Sequence, residues 1–84
     1  MPSRGLLRAL ADNIRFRRKS LGLTQESLGK MAGLERSYES HLEGLRIPNP
    51  TLGSISALAR ALETPVATLL REPMNSRKSS STAR

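Results

Sequence analysis

Arginine is the residue type in this chain with the most chemistry to offer, and that chemistry is the binding of anions. Lysine and arginine number 14 against seven aspartates and glutamates, which gives a net charge of +7 on 84 residues. Eleven of these bases are arginines, and a guanidinium group can hold a guanine edge with two hydrogen bonds. The balance predicts a polyanionic partner, either a nucleic acid or an anionic membrane surface.

The residue types that most enzymes need are scarce. The chain has no cysteine and one histidine, His41, which excludes disulfides, thiolate catalysis and the usual multi-histidine metal sites. No nucleophile–base pair, metal cluster or phosphate-binding loop is visible in the sequence. We therefore expect a protein that is not an enzyme and that needs no cofactor and no metal.

The positive charge is concentrated at the two ends of the chain. Residues 4–19 carry a net charge of +5, residues 20–62 are neutral, and residues 72–84 carry +2. In the first segment Arg17 and Arg18 are candidates for phosphate contacts, although a run of charge on a helix is more often a solvated face. A base-reading element in the neutral middle must work through specific contacts rather than through bulk charge.

Apolar residues recur at helical spacing along most of the chain, and no segment alternates with the period of a strand. The predicted helices are about 4–20, roughly 25–32 after the cap Thr24, about 35–43, one that begins after Thr51, and a short one with Thr64 as cap and Pro65 first. This pattern predicts a compact all-α domain of five helices over 4–71. Residues 75–84 have no apolar residue beyond Ala83 and cannot bury enough surface to order themselves, so we expect a disordered basic tail over 72–84.

The second and third predicted helices have the layout of a helix-turn-helix over 25–44. Gly33 separates them at a tight turn, and Leu28, Leu34 and Leu42 are placed to hold them at a fixed angle. The outer face of the third helix is polar and small enough for the major groove of DNA. The residues of that face are Arg36, Ser37, Tyr38, Ser40 and His41.

Linked motifs in this region resemble the lambda-repressor/Cro-type (XRE-type) helix-turn-helix family of transcriptional regulators. They are Leu23-Thr24-Gln25-Glu26-Ser27-Leu28, Met31-Ala32-Gly33-Leu34, Arg36-Ser37-Tyr38, Leu42-Glu43, Asn49-Pro50-Thr51-Leu52 and Leu58-Ala59-Arg60-Ala61-Leu62. The resemblance covers about residues 6–71. The small size and Arg36-Ser37-Tyr38 also resemble the controller proteins of restriction–modification systems.

The resemblance implies a lambda-repressor-like fold and a role for individual residues in DNA binding. Arg36 and Ser37 would start the recognition helix and reach base edges, with Ser40 and His41 one turn further on. Tyr38 would touch the DNA backbone or a thymine methyl group. Phosphate contacts would come from Gln25, Arg46 and Asn49.

The chain departs from the family pattern at two places. Glu39 stands where the family usually has Val, Ile or Leu, and a buried unpaired carboxylate is costly or takes up a proton. Glu39 would therefore lie at the rim, pair with an arginine of the first helix, or mark a shifted third helix. The loop from Gly44 to Pro50 is about one residue longer than usual.

A thin core of about 70 residues leaves apolar surface that a second subunit can cover. We expect a homodimer through the last two helices, with Val66, Leu69 and Leu70 at the interface. Such a dimer would bind half-sites about one turn of double-stranded DNA apart, as a regulator or repressor of transcription in the cytoplasm.

Two other functions remain open from the sequence. An antitoxin would use the same DNA-binding domain and also cover another protein, a toxin. A basic membrane-surface module would rest on the leucine-lined first helix. No apolar run approaches the length of a membrane span, and we expect no membrane partner.

Overall fold

A computed structural model describes residues 4–71, and this part of the chain forms five α-helices and no strand. The helices are α1 (Arg4–Ser20), α2 (Gln25–Ala32), α3 (Tyr38–Glu43), α4 (Leu52–Ala61) and α5 (Val66–Leu69). The prediction of a compact all-α, five-helix fold is confirmed. The predicted basic tail, residues 72–84, lies outside the described residues.

The helix boundaries follow from local chemistry. Thr24 caps α2 through a reciprocal capping box, in which its hydroxyl accepts a hydrogen bond from the Ser27 amide at 3.0 Å. Gly33 ends α2 with φ at +71°, a conformation that a glycine adopts without strain. Thr51 caps α4 in the same way as Thr24, by accepting from the Ser54 amide.

The core lies where the apolar stripes of the helices meet. The main contacts between helices are those of α1 with α3 and α5, of α2 with α3 and α4, and of α4 with α5. Every helix contributes at least one fully buried side chain; these are Leu10, Ile14, Leu28, Leu42, Leu58, Leu62 and Leu69. No helix among residues 4–71 is long and apolar enough to cross a membrane.

Helix α3 begins three residues later than the predicted start at 35. Ser37 adopts a left-handed conformation, with φ at +74°, which a continuous right-handed helix cannot contain. The amide of Tyr38 instead closes a turn onto the carbonyl of Glu35 at 3.0 Å. Arg36 and Ser37 therefore lie in the turn before α3, and their predicted place within the helix was wrong.

The predicted start of the last helix was also off by one residue. Pro65 is the N-cap of α5 rather than its first helical residue. The hydroxyl of Thr64 donates to the carbonyl of Leu62 at 3.0 Å, so Thr64 closes the end of α4 and does not cap α5.

Candidate nucleic-acid interface

Helices α2 and α3 form the helix-turn-helix pair and pack against each other at Gly29 and Glu39. A methyl group built on Gly29 of α2 would lie 3.7 Å from Cβ of Glu39 on α3, which is ordinary van der Waals contact. The amide of Leu34 donates to the carbonyl of Gly29 at 3.0 Å and closes the turn between the helices. The pair thus has a close, fixed crossing, with Leu28 and Leu42 buried beneath it.

Four of the residues predicted to contact DNA line one open groove of this pair. A groove of about 580 Å³ runs between α2 and the turn before α3, and its lining includes Gln25, Arg36, Ser37 and Ser40. His41, Arg46 and Asn49 are also exposed, at the end of α3 and in the loop that follows. The guanidinium groups of Arg36 and Arg46 make no hydrogen bond or ion pair within residues 4–71.

Tyr38 is attached to α4 rather than free on the open side. Its side chain is half-buried against the core, and its hydroxyl lies 2.8 Å from Oγ of Ser54. This hydrogen bond joins the first residue of α3 to the first turn of α4. The fold thereby sets the orientation of α3 relative to α4 through the tyrosine that was predicted to touch DNA.

Arg18, predicted as a phosphate ligand, lies inside the molecule. Only 8% of Arg18 is exposed, and its Nε and second terminal nitrogen donate to the two carboxylate oxygens of Glu43 at 2.7 and 3.1 Å. Its remaining terminal nitrogen donates to the carbonyl of Leu23 at 2.9 Å. The hydrogen bond with Glu43 raises the pKa of Arg18, and each of its three nitrogens is bonded to a group inside the fold.

Arg17 is likewise engaged within the fold. Its Nε donates to the carbonyl of Leu62, the residue that ends α4, at a distance of 3.0 Å. A cation at the C-terminal end of a helix opposes the negative end of the helix dipole. Arg17 is thus a cap for α4 through Nε, and its two terminal nitrogens make no hydrogen bond or ion pair within residues 4–71.

Glu43 is the centre of a buried network that joins α1, α2 and α3. Besides the bonds from Arg18, its carboxylate accepts a hydrogen bond from the side-chain nitrogen Nε2 of Gln25 at 3.1 Å. Nε of Arg15 lies 3.4 Å from the same carboxylate oxygen. Burial would raise the pKa of Glu43, but its hydrogen bonds, that from Arg18 foremost, hold it below the ordinary value. Gln25 therefore lines the open groove and also binds Glu43, the buried carboxylate that joins α3 to α1.

Glu39 is buried beside Glu43, which differs from the expected rim position and from direct pairing with an arginine. It is 2% exposed, and neither carboxylate oxygen receives a hydrogen bond from a donor among residues 4–71. Burial and the neighbouring Glu43 raise the pKa of Glu39 to about 9. At neutral pH the side chain holds a proton, which gives it a hydrogen to donate towards Glu43.

The internal roles of α1 were missed although a signal for them is present in its periodicity. Leu10 and Ile14 are core residues, and the next position on that stripe, four residues further, is Arg18. Asn13 also lies on the buried side of α1. A polar residue on the apolar side of a helix indicates a partner inside the fold, and this rule would have found both residues.

The comparisons with known proteins agree with this geometry. A family model described as "Helix-turn-helix" matches residues 14–69. The control protein C.SmaI of Serratia marcescens is 41% identical over 61 residues, which cover 73% of this chain and 71% of that protein. The crystal structure of the hypothetical transcription factor NHTF from Neisseria superposes with a TM-score of 0.80 at 35% identity, covering 93% of this chain and 90% of NHTF.

Proposed function

The chain belongs to the helix-turn-helix family of DNA-binding transcription regulators, and from that premise we propose that it binds a palindromic operator as a homodimer. The observation that carries the proposal is the difference between its arginines. Arg17 and Arg18 of α1 have partners inside the fold, whereas Arg36 and Arg46 are exposed at the two ends of α3.

Base contacts are proposed for the side chains around the start and the outer side of α3. Arg36 and Ser37 stand on the turn before the helix, and Ser40 and His41 follow on its first turns. A free arginine can hold a guanine edge with two hydrogen bonds, which discriminates against other bases by about 1–3 kcal/mol. Tyr38 contributes chiefly by its ring, because its hydroxyl is bonded to Ser54.

Phosphate contacts are proposed for Gln25, Arg46 and Asn49, which flank the reading surface on α2 and on the loop after α3. Contacts of this kind set the register of a protein on DNA without reading its sequence. Arg18 is left out of this set because it is buried and all three of its nitrogens are bonded inside the fold, whereas Arg17 stays a candidate through its two terminal nitrogens. The salt-sensitive affinity of the chain for DNA then depends less on α1 than the net charge of that helix suggests.

Dimerisation is proposed through α4 and α5. Val66 and Leu70 of α5 are only half-buried in the single chain, and a second copy can cover them. Leu69 differs, since it is 1% exposed and belongs to the core of its own chain. Of the three residues predicted at the interface, Val66 and Leu70 are therefore the ones proposed to contact the second copy. The DNA-binding domain is proposed to span 4–71.

The similarity to the control protein C.SmaI favours a controller protein of a restriction–modification system over an antitoxin. Both functions use the same DNA-binding surface, so they differ in the partner and not in the reading residues. Purification of the chain alone as a dimer of constant stoichiometry supports the controller protein. A complex that forms only with a second, different protein would favour the antitoxin.

Selection of bound sequences from a random pool of double-stranded DNA tests the proposal. The proposal predicts a site with twofold symmetry, whose half-sites are separated by about one helical turn of DNA. A single asymmetric site would contradict the homodimer while leaving sequence-specific binding intact. A pool without any preferred sequence would contradict base reading itself.

A further inference from the structure

Asn13 of α1 holds the C-terminal end of α5 with a single amide group. Its side-chain nitrogen donates to the carbonyls of Arg71 at 2.7 Å and Leu69 at 2.9 Å, and lies 3.3 Å from that of Thr68. The residue is 8% exposed, so these bonds are made away from solvent. Asn13 is thus the side chain that receives the last turn of the described chain.

The chemistry of this contact admits one orientation of the amide. Three carbonyl oxygens converge on the group, and an oxygen in the same place would face them with no hydrogen between. The two hydrogens of the amide nitrogen match the two nearer carbonyls, those of Arg71 and Leu69. The carbonyl of Thr68 shares one of these two hydrogens. Asparagine therefore supplies donors here that neither an acid nor an apolar residue supplies at neutral pH.

Helix α5 needs such support because it is too short to be stable by itself. It has four residues, and its N-cap, Pro65, makes no side-chain capping bond. Its own hydrogen bonds are long, with 3.4 Å from the Leu69 amide to the Pro65 carbonyl and 3.2 Å from Leu70 to Val66. The buried side chain of Leu69 and the amide of Asn13 help to orient it, together with the partial packing of Val66 and Leu70 against the core.

We propose that Asn13 is a positioning residue for dimerisation, which fixes α5 so that Val66 and Leu70 are presented together to a second copy of this chain. The inference rests on the proposed homodimer and extends it to a residue on another helix. Asn13 itself stays buried within its own subunit and does not touch the partner. Its effect on DNA binding passes through the dimer and not through the reading surface on α3.

The test compares two variants of the full chain, Asn13→Asp and Asn13→Ala, with the natural sequence. Sedimentation equilibrium measures the dimer dissociation constant, and fluorescence anisotropy measures affinity for a duplex that contains one half-site. Thermal unfolding followed by circular dichroism shows how much each variant loses in stability. A matched surface variant, Arg8→Ala, changes an exposed residue of the same helix whose side chain makes no hydrogen bond or ion pair within the described residues.

We expect both variants to raise the dimer dissociation constant by about tenfold or more, because buried hydrogen bonds to α5 are lost. Half-site affinity should stay within about twofold, since a single subunit occupies a half-site. Lowering the pH from about 8 to about 5 should restore dimerisation of Asn13→Asp, whose protonated carboxyl regains a donor, and not of Asn13→Ala. A role in general stability alone would instead lower half-site affinity together with dimerisation in both variants.

Several results would overturn the inference. A dimer of Asn13→Asp or Asn13→Ala as tight as the natural one shows that α5 needs no support from Asn13. Equal losses in half-site affinity and in dimerisation show that the residue maintains the whole fold instead. If Asn13→Asp does not fold, Asn13→Ser takes its place, and an unchanged dimer constant contradicts the inference in the same way.

The failure of the proposed function has a different signature. A natural chain that stays monomeric, both alone and on a two-half-site duplex, contradicts the homodimer and the role of Asn13 with it. A natural chain that dimerises, together with Asn13 variants that dimerise equally well, contradicts the role of Asn13 alone.

Discussion

The arginines of α1 and the arginines around α3 illustrate two uses of the same side chain. Arg18 and Arg17 donate to groups within the fold, at distances of 2.7 Å to Glu43 and 3.0 Å to Leu62. Arg36 and Arg46 lie exposed at the ends of α3, with no intramolecular partner among residues 4–71. The more basic segment of the chain is therefore partly structural, since two of its arginines stabilise the fold, whereas both arginines that flank α3 are free to bind a partner.

The backbone shows the same contrast between the two regions. The turn after α1 places its left-handed residue at Gly22, where positive φ costs little. Both sides of α3 instead carry left-handed residues with side chains, Ser37 with φ at +74° and Leu45 with φ at +62°. The fold is relaxed around α1 and strained around the proposed reading helix, a distribution found at binding sites.

The largest effect expected is on stability, from Arg18→Met in the network of α1. The change leaves the buried carboxylate of Glu43 without its main partner, and we expect the free energy of unfolding to fall by about 3 kcal/mol or more. Urea denaturation measures this loss, with Arg8→Ala as the exposed control on the same helix. A fully stable variant that loses only DNA affinity would show that Arg18 is a DNA ligand and would break the comparison.

A gain of stability is expected from Glu39→Leu, since an apolar side chain of similar length replaces a buried acid. The pKa of Glu39 is about 9 in the folded chain against an ordinary 4.5, so folding takes up a proton between these values. The stability of the natural chain should therefore fall as the pH rises from about 5 to about 9, by up to about 1.4 kcal/mol per unit. At pH 7 we expect the variant to be more stable by about 2 kcal/mol.

Urea denaturation of the natural chain and of Glu39→Leu, measured at several pH values, tests the role of Glu39. Glu39→Gln is the matched control, because it keeps the shape and a donor towards Glu43 and cannot lose a proton. The lowered pKa of Glu43 acts below the ordinary 4.5, so it does not contribute to this window. A natural chain whose stability rises or stays flat over pH 5–9 would show that Glu39 is ionised in the fold.

A smaller gain is expected from Leu45→Gly in the loop after α3. A left-handed conformation costs a residue with a side chain about 1 kcal/mol that glycine avoids, so the free energy of unfolding should rise by up to about that amount. Ala67→Gly, at an exposed helical position of α5, is the opposite control and should destabilise. Should Leu45→Gly destabilise the chain, the strain would not lie at this residue.

The helices were largely predictable because local rules decide them. The caps Thr24 and Thr51 and the stop at Gly33 act within one turn of chain, and the periodicity from Leu10 onward marks the core. The start of α3 was missed because the left-handed turn at Ser37 is held by contacts on both sides of it. Such a turn depends on how Tyr38 reaches Ser54 on another helix, which no local pattern contains.

The candidate site was predictable in its location and less so in its members. The polar outer side of α3 could be placed from the helix-turn-helix layout alone. Arg18 was mistaken for a surface residue because its neighbours in sequence are basic, although its helical register is that of Leu10 and Ile14. Charge along a sequence therefore says little until each residue has been assigned to a side of its helix.

The central claim is that Arg36, and not the arginines of α1, reads the DNA sequence. Its most direct test is the affinity of Arg36→Ala for the selected site and for random DNA, with Arg8→Ala as the control of equal charge. We predict a loss of about tenfold to a hundredfold on the selected site and little change on random DNA, with unfolding unaffected. Equal losses on both DNAs, matched by Arg8→Ala, would show that Arg36 provides charge alone and would contradict the claim.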